Sequence, residues 1–114
     1  MENHFLKLNG KDSLDSLVEQ SKERPVVIFK HSLTCSISAS VYNEMAEFEG
    51  EVALIEVQKN RELSREIANR LGVVHVSPQV IVLRNGQVVW NASHFNVTAG
   101  AVEKAVRKAE GSKQ

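Results

Sequence analysis

Gln79 to Ala92 reads QVIVL, RNG, QVVWNA, and an Asn-Gly pair between two apolar runs is the strongest short-range hairpin signal a sequence carries. Asn85-Gly86 therefore commits these two runs to antiparallel pairing. The residues upstream follow a different rule. Phe5 to Leu8 is a short apolar alternation ended by Asn9-Gly10, and Ser13 to Gln20 carries Leu14, Leu17 and Val18 at helical spacing. Pro25 stops that helix and opens VVIFKH, Val26 to His31, a continuous β-branched and aromatic run of the kind a sheet covers on both faces. Ile37, Val41, Met45 and Phe48 then gather on one side of a helix ending near Gly50. EVALIEV, Glu51 to Val57, is a second near-continuous apolar run. Asn60 is expected to cap a helix carrying Leu63, Ile67 and Leu71 on one face, with Gly72 as its terminator. After the hairpin, Val97 to Glu110 closes the chain as a helix with Ala101, Val102, Ala105, Val106 and Ala109 inward, and Gly111 to Gln114 is expected to fray.

Parallel strands need crossover helices, whereas the hairpin needs none. The order β-α-β-α-β-α-β-β-α therefore implies an α/β fold, a mixed central sheet of about five strands with helices on both faces. No repeat, low-complexity tract or linker interrupts it, so residues 1–114 are expected to form one domain. Ligands on open sheets of this kind bind beyond the carboxyl ends of the strands, which directs attention to whatever follows VVIFKH.

Composition narrows the partners. Fourteen basic and fourteen acidic side chains balance to zero, so no overall field would collect nucleic acid, anionic lipid or acidic substrate. Met1 to Lys11 lacks the apolar run of a signal peptide, no later stretch is long enough to span a membrane, and one cysteine cannot form an internal disulfide. A reducing cytoplasm is the expected location, and the glycosylation patterns at Asn91 and Asn96 are read as chance. His4, His31, His75 and His94 match no zinc spacing, so no metal is expected. Trp90 and Phe95 are read as packing residues.

The only cysteine, Cys35, stands where a strand has ended and a helix begins. Backbone N–H groups without intrahelical partners favour a thiolate there, and Lys30 and His31 just upstream are expected to help lower its pKa from a free value of about 8.5. Thr34 is placed to cap the helix by accepting from the N–H of Ser36 or Ile37. Ser38, one turn on, is placed to aim its hydroxyl back at the sulfur. Free cysteines are often small core residues, but the polar surroundings of Ser32, Thr34, Ser36 and Ser38 suit a core poorly. Further along, Pro78 stands at the start of a strand, where a proline interrupts the ladder least. Both an ordinary trans bond and a cis Ser77-Pro78 bond are compatible with the residues alone.

FKHSLTCSIS, Phe29 to Ser38, together with VSPQVIVLRNGQVVW, Val76 to Trp90, resembles the thioredoxin superfamily. The closer resemblance is to the monothiol bacilliredoxins, the bacillithiol-system thioredoxin-like proteins of Gram-positive bacteria, and it runs from Phe5 to about Ala109. It implies a thioredoxin-like fold with Cys35 as nucleophile, Ser38 at the position of a missing resolving cysteine, and Pro78 as the cis-proline facing the nucleophile. The backbone of Ser77 would then offer N–H and C=O groups to a bound disulfide, as a strand edge does to a peptide. Ser36 departs from the proline usual in the family motif, which loosens the first turn but removes no chemical group.

The activity implied by the resemblance is thiol–disulfide exchange on S-bacillithiolated client proteins. Bacillithiol serves as co-substrate, no cofactor is bound, and the protein acts as a monomer. Lys30 and His31 would tune the thiol toward ambient pH. Two other classes compete. Ser32-Leu33-Thr34-Cys35 is loosely similar to the T-x-x-C of peroxiredoxins, but those chains are longer and no arginine here has an obvious place at a peroxide site. Monothiol glutaredoxins carry an iron–sulfur cluster between protomers, but their motif has glycine and phenylalanine where this chain has Ser36 and Ile37.

Overall fold

The computed structural model describes residues 4–8 and 11–111, the side chains of residues 11 and 12 excepted. The Asn9-Gly10 turn and residues 112–114 of the expected tail lie outside the described residues. The strands are β1 (Phe5–Lys7), β2 (Val26–His31), β3 (Val52–Glu56), β4 (Gln79–Arg84) and β5 (Gln87–Ser93). The helices are α1 (Lys11–Gln20), α2 (Ser36–Glu47), α3 (Arg61–Leu71) and α4 (Ala99–Glu110).

The strands form one sheet in the order β1-β3-β2-β4-β5. β1, β3 and β2 run parallel, while β4 pairs antiparallel with β2 and β5 antiparallel with β4. Helical crossovers thus supply the parallel half and the Asn85-Gly86 turn the antiparallel half. Both turn residues have positive φ, 58° and 74°, the backbone that a two-residue hairpin demands and that Asn and Gly adopt most readily.

Side chains on β2 alternate between two cores. Val27 and Phe29 pack with Val41 and Met45 of α2 and Val102 of α4, whereas Val26 and Ile28 pack with Leu14 and Leu17 of α1 and Leu63 and Ile67 of α3. Period-two geometry carries this alternation to the end of the strand, so Lys30 belongs to the α1/α3 side and His31 to the α2/α4 side. Two adjacent residues at the same strand end therefore serve different faces.

Several local details differ from the sequence-based expectations. The inward stripe of α2 starts at Ser38 and continues through Val41 and Met45 to Phe48, and Ile37 is turned aside and half-buried. Val41, Met45 and Phe48 are buried as expected, and only the first position differs, because the first turn buries a polar group that the loop before it needs. α2 stops at Glu47, with Phe48 in extended backbone (φ −68°, ψ 131°). Asn60 precedes α3 but makes no capping bond with its side chain, which donates from Nδ2 to the Glu56 carbonyl instead (3.3 Å). Gly72 ends α3 in the left-handed region as expected (φ 69°). α4 begins at Ala99, because Thr98 is its N-cap and accepts from the Ala101 N–H (3.1 Å). Val97 is buried ahead of that helix, and Ala101 and Val106 are only half-buried. Trp90 packs half-buried against the α2/α4 core, but Phe95 does not pack: it is 73% exposed in a single 3₁₀ turn, His94–Asn96, that follows β5.

Among the described residues, no helix is long and apolar enough to cross a membrane.

Candidate active site

The parallel strands β2 and β3 end, β4 begins and β5 ends along one edge of the sheet. Cys35 lies four residues beyond the end of β2, as the N-cap residue of α2 in extended backbone (φ −104°, ψ 122°). Its carbonyl accepts the N–H of Ser38 (3.0 Å), and its side chain is free and half-buried. A groove of about 260 Å³ opens beside it, lined by His31, Ser32, Leu33, Tyr42 and Asn43. Leu33 at the rim is 45% exposed. The sulfur is therefore outside both cores, as a reagent for another molecule must be.

No side chain caps α2. Thr34 does not perform the expected capping role, because its Oγ1 accepts from Gln58 Nε2 (3.1 Å). Ser36, exposed, is the first helical residue, the position at which a proline is best tolerated. Ser38 is fully buried and its hydroxyl does not turn to the sulfur. Its Oγ accepts the Ser32 N–H (2.9 Å) and lies 2.7 Å from His31 Nδ1. The Nδ1 contact is a hydrogen bond whose donor follows the tautomer of the ring, since the hydroxyl keeps a second lone pair as well as its proton. Burial holds His31 below the usual histidine range, against the opposing influence of the Glu56 charge. The ring is held further by contacts with Phe29 (5.3 Å between centroids) and Tyr42 (5.1 Å).

Lys30 is fully buried on the other face, where Nζ donates to His75 Nδ1 (3.3 Å). Desolvation lowers its pKa from 10.5 to about 8. Of the two upstream residues expected to act as cations beside the sulfur, one is disfavoured as a cation by burial and the other points away. His31 alone shares the groove with Cys35.

The Ser77-Pro78 peptide bond is cis. Continuing the β2/β4 register by one residue from Lys30↔Gln79 sets Pro78 across from His31. Pro78 is buried, and its carbonyl accepts the His94 N–H (3.1 Å), tying this loop to the end of β5.

One residue escaped the sequence reading. Gln58, just past β3, donates from Nε2 to Ser32 Oγ (2.9 Å) and Thr34 Oγ1, and accepts the Leu33 N–H at Oε1 (2.9 Å). A single amide thus fastens all three residues that precede Cys35. The available signal was a long polar side chain immediately beyond a buried parallel strand, where ligand-facing groups collect. Among the described residues, no cluster of three or more His, Cys, Asp or Glu is arranged to hold a metal ion.

Solved structures with this topology are thioredoxins and their relatives. A provisionally assigned oxidoreductase with a thioredoxin fold superposes with a TM-score of 0.84 at 32% identity, over 91% of this chain and 95% of that one. The thioredoxin of Fasciola hepatica matches at a TM-score of 0.71 and 16% identity, over 91% of this chain and 98% of its own. That of Schistosoma mansoni matches at 0.67 and 20%, over 91% and 96%. Fold and site together define a thioredoxin-like oxidoreductase with one cysteine. The family model of the monothiol bacilliredoxin BrxC matches residues 6–102, and the chain belongs to that family.

Proposed function

We propose that the protein removes bacillithiol from S-bacillithiolated client proteins by monothiol exchange at Cys35. The Cys35 thiolate attacks the bacillithiol sulfur of the client's mixed disulfide. A new S–S bond joins Cys35 to bacillithiol, and the client's sulfur leaves as a thiolate. A second bacillithiol thiolate then attacks the bacillithiol sulfur held on Cys35, which releases bacillithiol disulfide and restores the Cys35 thiolate. The net change is one client thiol freed and one free bacillithiol oxidised, which leaves with the bacillithiol taken from the client as their disulfide, with no bound cofactor and one protomer per cycle. A pool of reduced small thiol is required, the condition of a cytoplasm.

The observation that carries this reading is the pairing of an accessible Cys35 with a buried Ser38 whose hydroxyl is committed to Ser32 and His31. The position one turn after the nucleophile contributes to the scaffold and offers no second sulfur, so resolution falls to a thiol from outside. The cis peptide at Ser77-Pro78 and the family match support the same assignment.

Intact-mass measurement tests it. When the reduced protein is mixed with a bacillithiolated client, wild type gains the mass of one bacillithiol as the client loses it, and Cys35→Ala gains none. A client that stays modified defeats the proposal.

A further inference from the structure

A second concavity of about 260 Å³ is lined by Gln58, Arg61, Ser64, Arg65, His75 and Ser77. It shares Gln58 with the segment leading to Cys35, and it reaches Ser77 immediately before Pro78. We propose that this basin is a carboxylate-binding subsite that receives the dianionic end of the small-thiol co-substrate.

Four observations carry this. Arg61 and Arg65 are one turn apart on α3, both exposed, and neither has an ion pair among the described residues. Guanidinium forks in this state are suited to bidentate carboxylate contacts. No Asp or Glu lines the concavity. The Ser64 hydroxyl, on a residue only 1% exposed, has no hydrogen-bond partner, so the wall holds a buried polar group that a ligand oxygen would satisfy. Behind His75 stands the buried Lys30 ammonium, which donates to Nδ1 and leaves the imidazole as an acceptor with its other nitrogen carrying the proton. Desolvation, then the charges of Lys30 and Arg65, lower the pKa of His75, and the two charges are further cations close to the basin.

This inference rests on the proposed function, because bacillithiol ends in a malyl group bearing two carboxylates. It adds what the sulfur chemistry alone does not supply, a means of preferring that thiol over neutral ones. The reacting sulfur would lie at Cys35 while the acidic end is held beyond Gln58.

Two measurements on the full chain test it. In the first, reduced wild type is titrated with L-malate, with malamide and with inorganic phosphate while backbone amide spectra are recorded. Saturable shifts centred on Ser64, Arg65, His75 and Ser77 with malate, absent with malamide and weaker with phosphate, are expected. No shift there overturns the subsite, and an equal response to phosphate overturns its assignment to carboxylate. In the second, the Cys35–bacillithiol adduct is resolved with bacillithiol or with 2-mercaptoethanol. Arg61→Glu/Arg65→Glu should lower the ratio of the two rates at least tenfold, with Arg61→Lys/Arg65→Lys restoring part of it, and an unaltered ratio overturns the proposal. If Cys35 accepts no bacillithiol at all, the proposed function fails, and the malate titration still decides the basin.

Discussion

Ser38 stands where a dithiol relative would keep its second sulfur, yet its work here is structural. Replacing it with alanine leaves the Ser32 N–H, on a residue 7% exposed, without an acceptor. Orphaning a buried donor costs about 1–3 kcal/mol. Chemical denaturation of Ser38→Ala should show a loss in that range, and a loss below about 0.5 kcal/mol would mean that the loop finds another acceptor. Gln58→Ala removes three bonds at a more exposed place. Its expected effect is on order in the loop: faster amide exchange at Leu33 and a Cys35 alkylation rate that changes several-fold, with global stability reduced by only about 1 kcal/mol. Alkylation unchanged from wild type would remove Gln58 from the positioning of Cys35. The place of Cys35 at a strand-to-helix junction was legible from local spacing, whereas Ser38 and Pro78 joined it only through the family resemblance. Gln58 and the His31–Ser38 bond were not legible, because both join segments that only the sheet brings together.

Among the elements, the hairpin was the most readable and its anchoring the least. The β4–β5 turn is clipped to the end of α1 by one serine. Ser21 Oγ accepts the Gly86 N–H (2.8 Å) and donates to the Val18 carbonyl (2.6 Å), while the Ser21 carbonyl accepts the Asn85 N–H (2.7 Å) and an N–H of Arg84 Nη1 (2.9 Å). Ser21 is fully buried. Ser21→Ala should cost about 1–2 kcal/mol and raise hydrogen exchange first at Gly86, with the carbonyl contacts retained. Exchange that rises uniformly along the chain would contradict a local clip. Nothing in a serine following a helical stretch announces such a role, since its partner lies 65 residues away. The helices show the same division. The apolar periodicity of α3 and α4 survives in the buried Leu63, Ile67, Val102, Ala105 and Ala109. On α2 the stripe holds at Val41, Met45 and Phe48 and departs only at its first position, because period counting ranks Ile37 above a serine and cannot see that a serine is needed inside.

For the molecule as a whole, the buried Lys30 ammonium sets a pH dependence. Its folded-state pKa of about 8 lies below the unfolded 10.5, so between these values the unfolded chain holds a proton that the folded one has released. Stability contributed by this group therefore rises with pH across that window, by about 3 kcal/mol at 1.4 kcal/mol per tenfold. Lys30→Met should be more stable than wild type at pH 8, and the difference should shrink by roughly that amount toward pH 10.5. A difference constant across the window would show that the ammonium is better solvated than its burial implies. The mixed sheet with helices on both faces was readable from strand and helix order, but the assignment of Lys30 and His31 to opposite faces required a register that only the two cores fix.

The committed hydroxyl of Ser38 has a kinetic corollary. A dithiol relative discharges its adduct by an intramolecular step whose half-life is its own property. Under the proposed function, the half-life of the Cys35 adduct scales inversely with the concentration of free thiol around it, so the protein would turn over freely where that thiol is plentiful and stay loaded where it is depleted.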